Sequence, residues 1–400
     1  MIELVTCRGS RCLSLTRASR VEPTRVAVAG FSCGRYLDPD GRECARTFPR
    51  KQDAERFLAG VESDKSRGLY VDPAAGRLTV GEYARTWQAA QVQRRTTAAA
   101  FDSHLRNHIL PLLGRRPLAS VTRSEVQAWV RSRSQVLAPT TTATVYAVLR
   151  MVFRSAVADR LIAVSPCERI SLPKVPPREL VPLPREAVLA LADEVPDLYR
   201  AVILAAAGTG LRQGELLGLA RERVDFLRRT LTVDAQLVLL PGGPPYIAPP
   251  KTTASYRTVP LADIVLEALA EHVKRHSSAS ALDERGRPSE LVFSDSKGRP
   301  VSRTYFHRRA WAPAVKRVGL PAGTRFHELR HFYASLLIEG GESVKAVQTR
   351  LGHATAEETL NTYAHLWPDS EDRSREAVER GLASTASAQT ANGAGLRPRP

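Results

Sequence analysis

Within residues 78–165, three stretches repeat apolar side chains every three or four positions: Val80, Tyr83 and Trp87; Val126, Trp129 and Val130; then Val145, Val148, Leu149, Val152 and Phe153. That spacing lines one face of a helix and predicts an all-helical unit. Two of its helix starts are marked by Thr79 with Glu82 and by Thr122 with Glu125, the reciprocal pairing of a capping box. Upstream, FSCGRYLDPDGRECARTF reads strand, turn, strand. The turn falls on Asp38-Pro39-Asp40-Gly41, where Pro presets φ and Gly accepts a positive one. Ala54, Phe57, Leu58 and Val61 then follow helical spacing. A hairpin alone is marginal in water, so this helix is expected to cover one face of it. Arg35, Arg42 and Arg46 are assigned to the other face, which suits a DNA groove or plain solvent. Residues 1–30 show no clean period and read as a disordered or dispensable extension.

Six prolines between 166 and 184 (Pro166, Pro173, Pro176, Pro177, Pro182 and Pro184) predict a semi-rigid linker and the main domain boundary. Residues 185–370 are mixed. Helices are expected over 185–195 and 197–207, a break at Gly208-Thr209-Gly210, and a new helix in LRQGELLGL. TLTVDAQL, YIAP, YRTVPL and LVFS read as strands. LADIVLEALAEHVKRH and SRTYFHRRAWAPAVKRVG read as helices, and three more run through Tyr363. Residues 371–400 form a tail, helical to about 383 and disordered by composition beyond. The fold class is mainly α with small β-sheets: a hairpin–helix unit at 31–77, a helical domain at 78–165 and a mixed α+β domain at 185–370.

Charge narrows the partner. Fifty-eight Lys and Arg stand against 41 Asp and Glu, a formal +17 with pI near 10.2. A surplus of that size points to a polyanion, above all nucleic acid. The five Cys (Cys7, Cys12, Cys33, Cys44 and Cys167) are scattered without zinc spacing and read as free thiols of a reducing cytoplasm. No apolar run spans a bilayer, and the first residues lack the apolar core of a secretory signal. The expected location is cytoplasmic and nucleoid-associated, with no membrane partner.

The chemistry-bearing residues lie in the mixed domain. Arg212 is placed one turn into a helix, with Glu215 on the same face to hold its guanidinium; Arg presents a planar fork to phosphate oxygens. Lys251 sits on a hairpin tip after two prolines, where neighbouring Arg would favour its neutral form and a general-acid role. His327 and Arg330 are three apart. His353 follows Leu351-Gly352, and Tyr363 follows ten residues later. A free phenol has a pKa near 10, and two nearby Arg would favour its anion. Each residue also has an ordinary reading: a surface ion pair, a solvated Lys, structural histidines, a core Tyr.

His327-Glu328-Leu329-Arg330-His331 matches the zinc-protease signature HExxH. The metzincin extension fails, since Ala334 and Leu337 stand where Gly and His are needed. Glu357 remains as a possible third ligand. The cationic surplus and the Arg inside the motif favour phosphate over zinc, and Glu328 and His331 are left with structural roles.

Taken together, TGLRQGELLGL (209–219), PPKTTASYRTVPL (249–261), HELRH (327–331), LGH (351–353) and TLNTYAH (359–365) resemble the catalytic domain of the tyrosine recombinases, the phage-integrase family. The helical 78–165 resembles that family's core-binding domain. GRYLDPDGRECARTFPRKQDAERFL is similar to the arm-type DNA-binding domain of integrases. The resemblance implies that Tyr363 attacks the scissile phosphate, leaving a 3′-phosphotyrosyl link and a free 5′-hydroxyl. Arg212 and Arg330 would clamp the non-bridging oxygens, and Lys251 would protonate the leaving oxygen. His327 would assist proton transfer at the phenol, His353 would hydrogen-bond the phosphate, and Glu215 would support. No metal and no nucleotide cofactor is implied. The implied partners are double-stranded attachment-site DNA clamped between the helical and catalytic domains, a homotetramer, and an excisionase or DNA-bending accessory protein. Residues after Leu366 would dock on a neighbouring copy. A DNA-binding regulator that kept the fold without the chemistry, and a type IB topoisomerase, are the competing readings.

Overall fold

The structure, a computed structural model, describes residues 2–6, 32–39, 41–67, 70–71, 75–176, 180–367, 374–376 and 378–382. It separates into two compact units, 1–177 and 178–400.

In the first unit, strands β1 (Ile2–Thr6), β2 (Ser32–Leu37) and β3 (Glu43–Phe48) form an antiparallel sheet in the order β1-β2-β3. Pairing runs from Ile2 opposite Tyr36 to Thr6 opposite Ser32. The start of the chain is therefore part of the fold, contrary to the expectation of a disordered extension. Five residues are too few to show a period, and what recruits them is the open edge of a strand 26 or more residues downstream, which an unpaired hairpin leaves exposed. Residues 7–31, with Cys7 and Cys12, lie outside the described residues. The β2–β3 turn is the expected one. Gly41 has φ +81°, and the Asp38 carboxylate accepts from the Arg42 amide at 2.7 Å.

Helix α1 (Lys51–Ser66) covers the sheet through Leu58, which packs on Gly34, and through Val61, which shares a small core with Leu58 and the β2 residue Tyr36. The three arginines do not share the open face. Arg46 pairs with Gly34 on the covered face, and its guanidinium lies 5.4 Å from the Phe48 ring and 5.1 Å from Phe57. Arg35 is on the opposite face beside Glu43, at 3.5 Å. Strand pairing flips faces at each residue, and 35 and 46 differ in phase once register is known.

The helical part follows as α2 (Val80–Ala90), α3 (Arg95–His104), α4 (Leu110–Leu113), α5 (Arg123–Ser134) and α6 (Pro139–Ala158). Both capping boxes form: Glu82 accepts from the Thr79 amide at 2.9 Å and Glu125 from the Thr122 amide at 2.8 Å. A wide turn at Leu105–Ile109 joins α3 to α4 and seats both terminal side chains in the core with Trp87, Trp129 and Phe153. Cys167 is a buried free thiol, and Cys33 and Cys44 are likewise unpaired.

The second unit opens with α7 (Arg185–Glu194) and α8 (Asp197–Thr209). Helix α8 is apolar nearly all round, as a central helix must be, and Gly208 lets a Val265 methyl approach where a Cβ would sit 2.3 Å away. Gly210 ends α8 in the left-handed conformation, φ +63°. Then come α9 (Gln213–Leu217), β4 (Val224–Asp225), β5 (Thr230–Val233), β6 (Gln236–Val238), β7 (Tyr246–Ala248), β8 (Arg257–Pro260) and α10 (Asp263–Arg275). Strands β9 (Ala279–Asp283) and β10 (Pro288–Leu291) make a hairpin that the sequence did not signal; of the expected strand LVFS, only Leu291 is in β10. One sheet has order β4-β5-β8, the other β10-β9-β7-β6. Helices α11 (Arg303–Phe306), α12 (Ala312–Arg317), α13 (Glu328–Glu339), α14 (Val344–Leu351) and α15 (Ala356–Tyr363) complete the unit. Fully buried Trp311 anchors it, donating to the Thr324 carbonyl at 2.9 Å. No helix among the described residues is long and apolar enough to cross a membrane.

Because β1 pairs with β2 alone among the described strands, deleting residues 1–6 should speed hydrogen exchange at those β2 amides that point toward β1. The amides facing β3 should keep their protection. Equal protection with and without the segment would refute the pairing.

Candidate active site

The site is assembled by a buried carboxylate. Arg212 is the N-cap of α9, with extended dihedrals, rather than a residue inside the helix. Gly210 breaks the chain two residues earlier, so the helix restarts late. Glu215, the third helical residue, accepts the Arg212 backbone amide at 3.0 Å and its guanidinium at 2.9 Å. The guanidinium of Arg212 is on Oε1, while Oε2, which accepts the Arg212 amide, also takes Arg257 at 2.9 Å. Glu215 and Arg257 are both buried. Burial alone would raise the Glu215 carboxyl, but Arg257 and then Arg212 outweigh it and hold the group below its usual range.

Arg257 was not singled out from the sequence. Its signal was there: it shares a strand face with Val259, so an alternating pattern placed a cation inward. Arg257 donates further to the Arg350 carbonyl at 2.8 Å and the Ser255 carbonyl at 2.9 Å. Arg212 reaches the Gly352 carbonyl at 3.3 Å and the Ser255 hydroxyl at 3.4 Å. Gly352, φ +68°, lets the 254–257 segment close in, since a Cβ would meet the Ala254 carbonyl and the Arg257 guanidinium at 3.0 Å each.

Arg330, in the first turn of α13, is 2% exposed. Its Nη1 donates to the Gly210 carbonyl at 2.7 Å. Its Nη2 is buried with no hydrogen-bond partner among the described residues. Burial, then Arg212 and Arg257, lower its pKa to about 9, which leaves it charged at neutral pH. A buried, charged donor with an unused proton is costly unless an anion arrives.

Tyr363 ends α15 and is 1% exposed. Its phenol is pushed up to about 12: burial outweighs Arg330 and Arg212, so the anion is not favoured as the sequence suggested. The ring that contacts the hydroxyl is His331, whose Nδ1 lies 2.8 Å from it. His327, expected at the phenol, instead caps α13 and meets His331 edge-on with ring centroids 4.8 Å apart. It is open on one side to solvent, yet the surrounding protein and then Arg330 and Arg212 hold it down to about 4. His331 Nδ1 is engaged by the phenol, and no group of three or more His, Cys, Asp or Glu side chains that could hold a metal occurs among the described residues. His353 stacks nearly parallel to Tyr363, centroids 6.4 Å apart, and its Nδ1 shares a 2.9 Å hydrogen bond with Thr359. Burial, then Arg330 and Arg212, lower it to about 3, so it is neutral.

Lys251 is the predicted residue that the structure leaves apart. It lies exposed between β7 and β8, which belong to different sheets, so the segment is a crossing loop and not a hairpin tip. Among the described residues, no hydrogen bond or ion pair joins it to the cluster, although Thr252 beside it bonds Ser255 at 2.9 Å.

The comparisons with known proteins agree on the family. The phage integrase family profile matches residues 184–369, and the phage integrase central domain matches 80–172. An integrase of prophage phiRv2 from Mycobacterium tuberculosis is 31% identical over 352 residues, covering 84% of this chain and 90% of that one. This chain belongs to the phage integrase family. It is a tyrosine recombinase, an enzyme that breaks and rejoins DNA. The integrase of Mycobacterium phage D29 is 28% identical over 87% of this chain and 91% of its own length. Among solved structures, the integrase of transposon Tn1549 in complex with a circular intermediate DNA superposes with TM-score 0.64 at 26% identity, over 76% of this chain and 99% of that one.

Two stability effects follow for this integrase. Glu215→Gln should destabilise the second unit by about 3–5 kcal/mol, because it strands two arginines around a neutral amide. Asp193→Asn, which breaks an exposed pair with Arg200, should move it by less than about 1 kcal/mol. Denaturant midpoints distinguish these. Stability should also fall as pH drops below about 6.5. His353 and the buried His272, lowered to about 4 by burial and His276, stay neutral in the fold while their unfolded counterparts take up protons. A denaturation midpoint unchanged between pH 7 and pH 5 would contradict this.

Proposed function

We propose that this integrase cleaves attachment-site DNA with Tyr363 as nucleophile and Arg330 and Arg212 as the receptor for the scissile phosphate. The observation that carries the reading is the unsatisfied, buried Nη2 of Arg330 within a cluster of three arginines and one carboxylate. That donor fits a non-bridging phosphate oxygen, and a fork of two guanidiniums neutralises the charge that builds on it during attack. The Tyr363 oxygen bonds to phosphorus, the 5′ oxygen leaves, and the strand stays attached as a 3′-phosphotyrosyl ester. The ester keeps the energy of the phosphodiester for rejoining, so no nucleotide is consumed. Cationic side chains supply the charge stabilisation, so the reading assigns no metal.

Lys251 is proposed as the acid for the leaving oxygen, brought in as its exposed loop meets DNA. His353 offers a neutral ring to the phosphate, and His327 a second at the pocket's rim. Beside His327 a recess of about 400 Å³ is lined by Gln213, Arg303, His307 and Arg325, and it suits flanking backbone. The unit at 31–77 is proposed to bind arm-type DNA sites, and 78–165 the core site. One tyrosine cuts one strand, and exchange between two duplexes breaks four, so the working assembly is a homotetramer, with the segment after Leu366 docking on a neighbour. It acts at the nucleoid, integrating or excising a phage or integrative element, with an excisionase or DNA-bending protein to set direction.

The test uses a nicked duplex built from the repeat bordering the coding gene, in EDTA without nucleotide. The native chain should form a protein–DNA adduct stable to denaturant, and Tyr363→Phe should form none. Arg330→Ala should slow adduct formation by about 10²–10³. An adduct that persists in Tyr363→Phe would move the nucleophile elsewhere.

A further inference from the structure

The buried phenol lacks an assigned proton acceptor. Tyr363 is neutral at physiological pH, and its oxygen must lose a proton as it bonds to phosphorus. The arginines around it cannot take one. His353 is stacked flat against the ring, and the hydrogen bond recorded for its Nδ1 is with Thr359 rather than the phenol oxygen. His327 faces the edge of His331. The group in line with the hydroxyl is His331, with Nδ1 at 2.8 Å and its ring centroid 5.6 Å from that of Tyr363, the planes 62° apart. That distance is within the reach required of a general base.

Helix geometry explains why it is this histidine. His331 is four residues beyond the N-cap, and α13 and α15 bring its ring and the phenol together across 32 positions. Among the described residues, the charges acting on the phenol are Arg330 and Glu328 on α13, Arg212 at the start of α9, and Glu358 on α15, with His327 and His353 as neutral neighbours. The two arginines favour loss of a proton from the phenol, and the two glutamates oppose it.

We propose that His331 is the catalytic proton acceptor for Tyr363, holding the hydroxyl before DNA binds and taking its proton during attack. This rests on Tyr363 being the nucleophile. In the forward step the Tyr363 O–H bond breaks and the proton passes to His331 Nδ1. The oxygen–phosphorus bond forms, and the bond to the 5′ oxygen breaks, that oxygen leaving with a proton from Lys251. Rejoining reverses each transfer, so His331 returns the proton as the phenolate leaves.

The experiment compares the native chain with His331→Ala, His331→Gln and Tyr363→Phe on the same nicked duplex, with binding measured separately by gel shift. Both His331 variants should bind DNA as the native chain does and form adduct about 10²–10⁴ slower. Their rates should climb with pH more steeply than the native rate, because hydroxide replaces the lost base. Incorporating 3,5-difluorotyrosine at 363, a more acidic phenol, should recover about tenfold or more of the loss in His331→Ala. A duplex with sulfur at the 5′ bridging position should rescue Lys251→Ala but not His331→Ala. In the DNA-free chain, ¹⁵N resonances should find His331 Nδ1 unprotonated.

Native rates in His331→Gln would reduce the residue to a hydrogen-bonding prop and overturn the proposal. So would a slowed His331→Ala with a native pH profile and no recovery with the acidic phenol, or a protonated Nδ1. Adduct formed by Tyr363→Phe would instead sink the underlying assignment of the nucleophile.

Discussion

The second unit depends on one carboxylate placed between two guanidiniums. Glu215 accepts from Arg212 and Arg257 at 2.9 Å each, and those arginines reach the carbonyls of Ser255, Arg350 and Gly352. A single buried anion thus fastens the start of α9, the first residue of β8, the 252–255 loop and the end of α14. Burying Glu215 with Arg257, and half-burying Arg212, gives little net stability, since desolvation offsets most of the attraction. What it gives is position. A guanidinium held by a carboxylate on one side and carbonyls on the other cannot swing, and a phosphate receptor that is already in place needs no reorganisation when charge develops.

Three guanidiniums, those of Arg212, Arg257 and Arg330, surround one carboxylate. The pocket therefore carries surplus positive charge. Burial first, and then these arginines, make His327 and His353 resist protonation and Arg330 hold its proton less tightly than usual, and Arg330 Nη2 goes without a partner among the described residues. These describe one condition, a site built for an anion. The phenol is the exception. Burial raises Tyr363 despite the arginines, so the nucleophile stays protonated and chemically quiet until the surroundings change.

Much of this was legible beforehand because it rests on local rules. Apolar spacing gave the helices of 78–165, and Thr–Glu pairs three apart gave two helix starts to the residue. Arg212, Glu215, His327, Arg330, His353 and Tyr363 were readable as phosphate-handling types, and the structure brings them into one cluster. The failures share a cause: contacts distant in sequence. Ile2–Thr6 is a strand only because β2 offers an edge. Lys251 looked like a hairpin tip because β7 and β8 are adjacent in sequence, yet they belong to different sheets. Arg257 hid inside a strand-like alternation whose inward charge was readable but had no visible partner. Arg212 was placed inside a helix, whereas the glycine before it delays the helix and makes it the cap.

The two histidines of HELRH show how far register decides chemistry. They are four apart, which on a helix sets both rings on one side, and here their centroids lie 4.8 Å apart. His327 is the N-cap of α13, but its backbone is already helical, φ −65° and ψ −18°, and its carbonyl accepts the His331 amide at 3.3 Å. What separates the two is the partner each ring meets. His331, one turn further in, is aimed at α15 by the helix itself. Its Nδ1 meets the Tyr363 hydroxyl at 2.8 Å, so the nitrogen that a metal would need is already committed to the phenol.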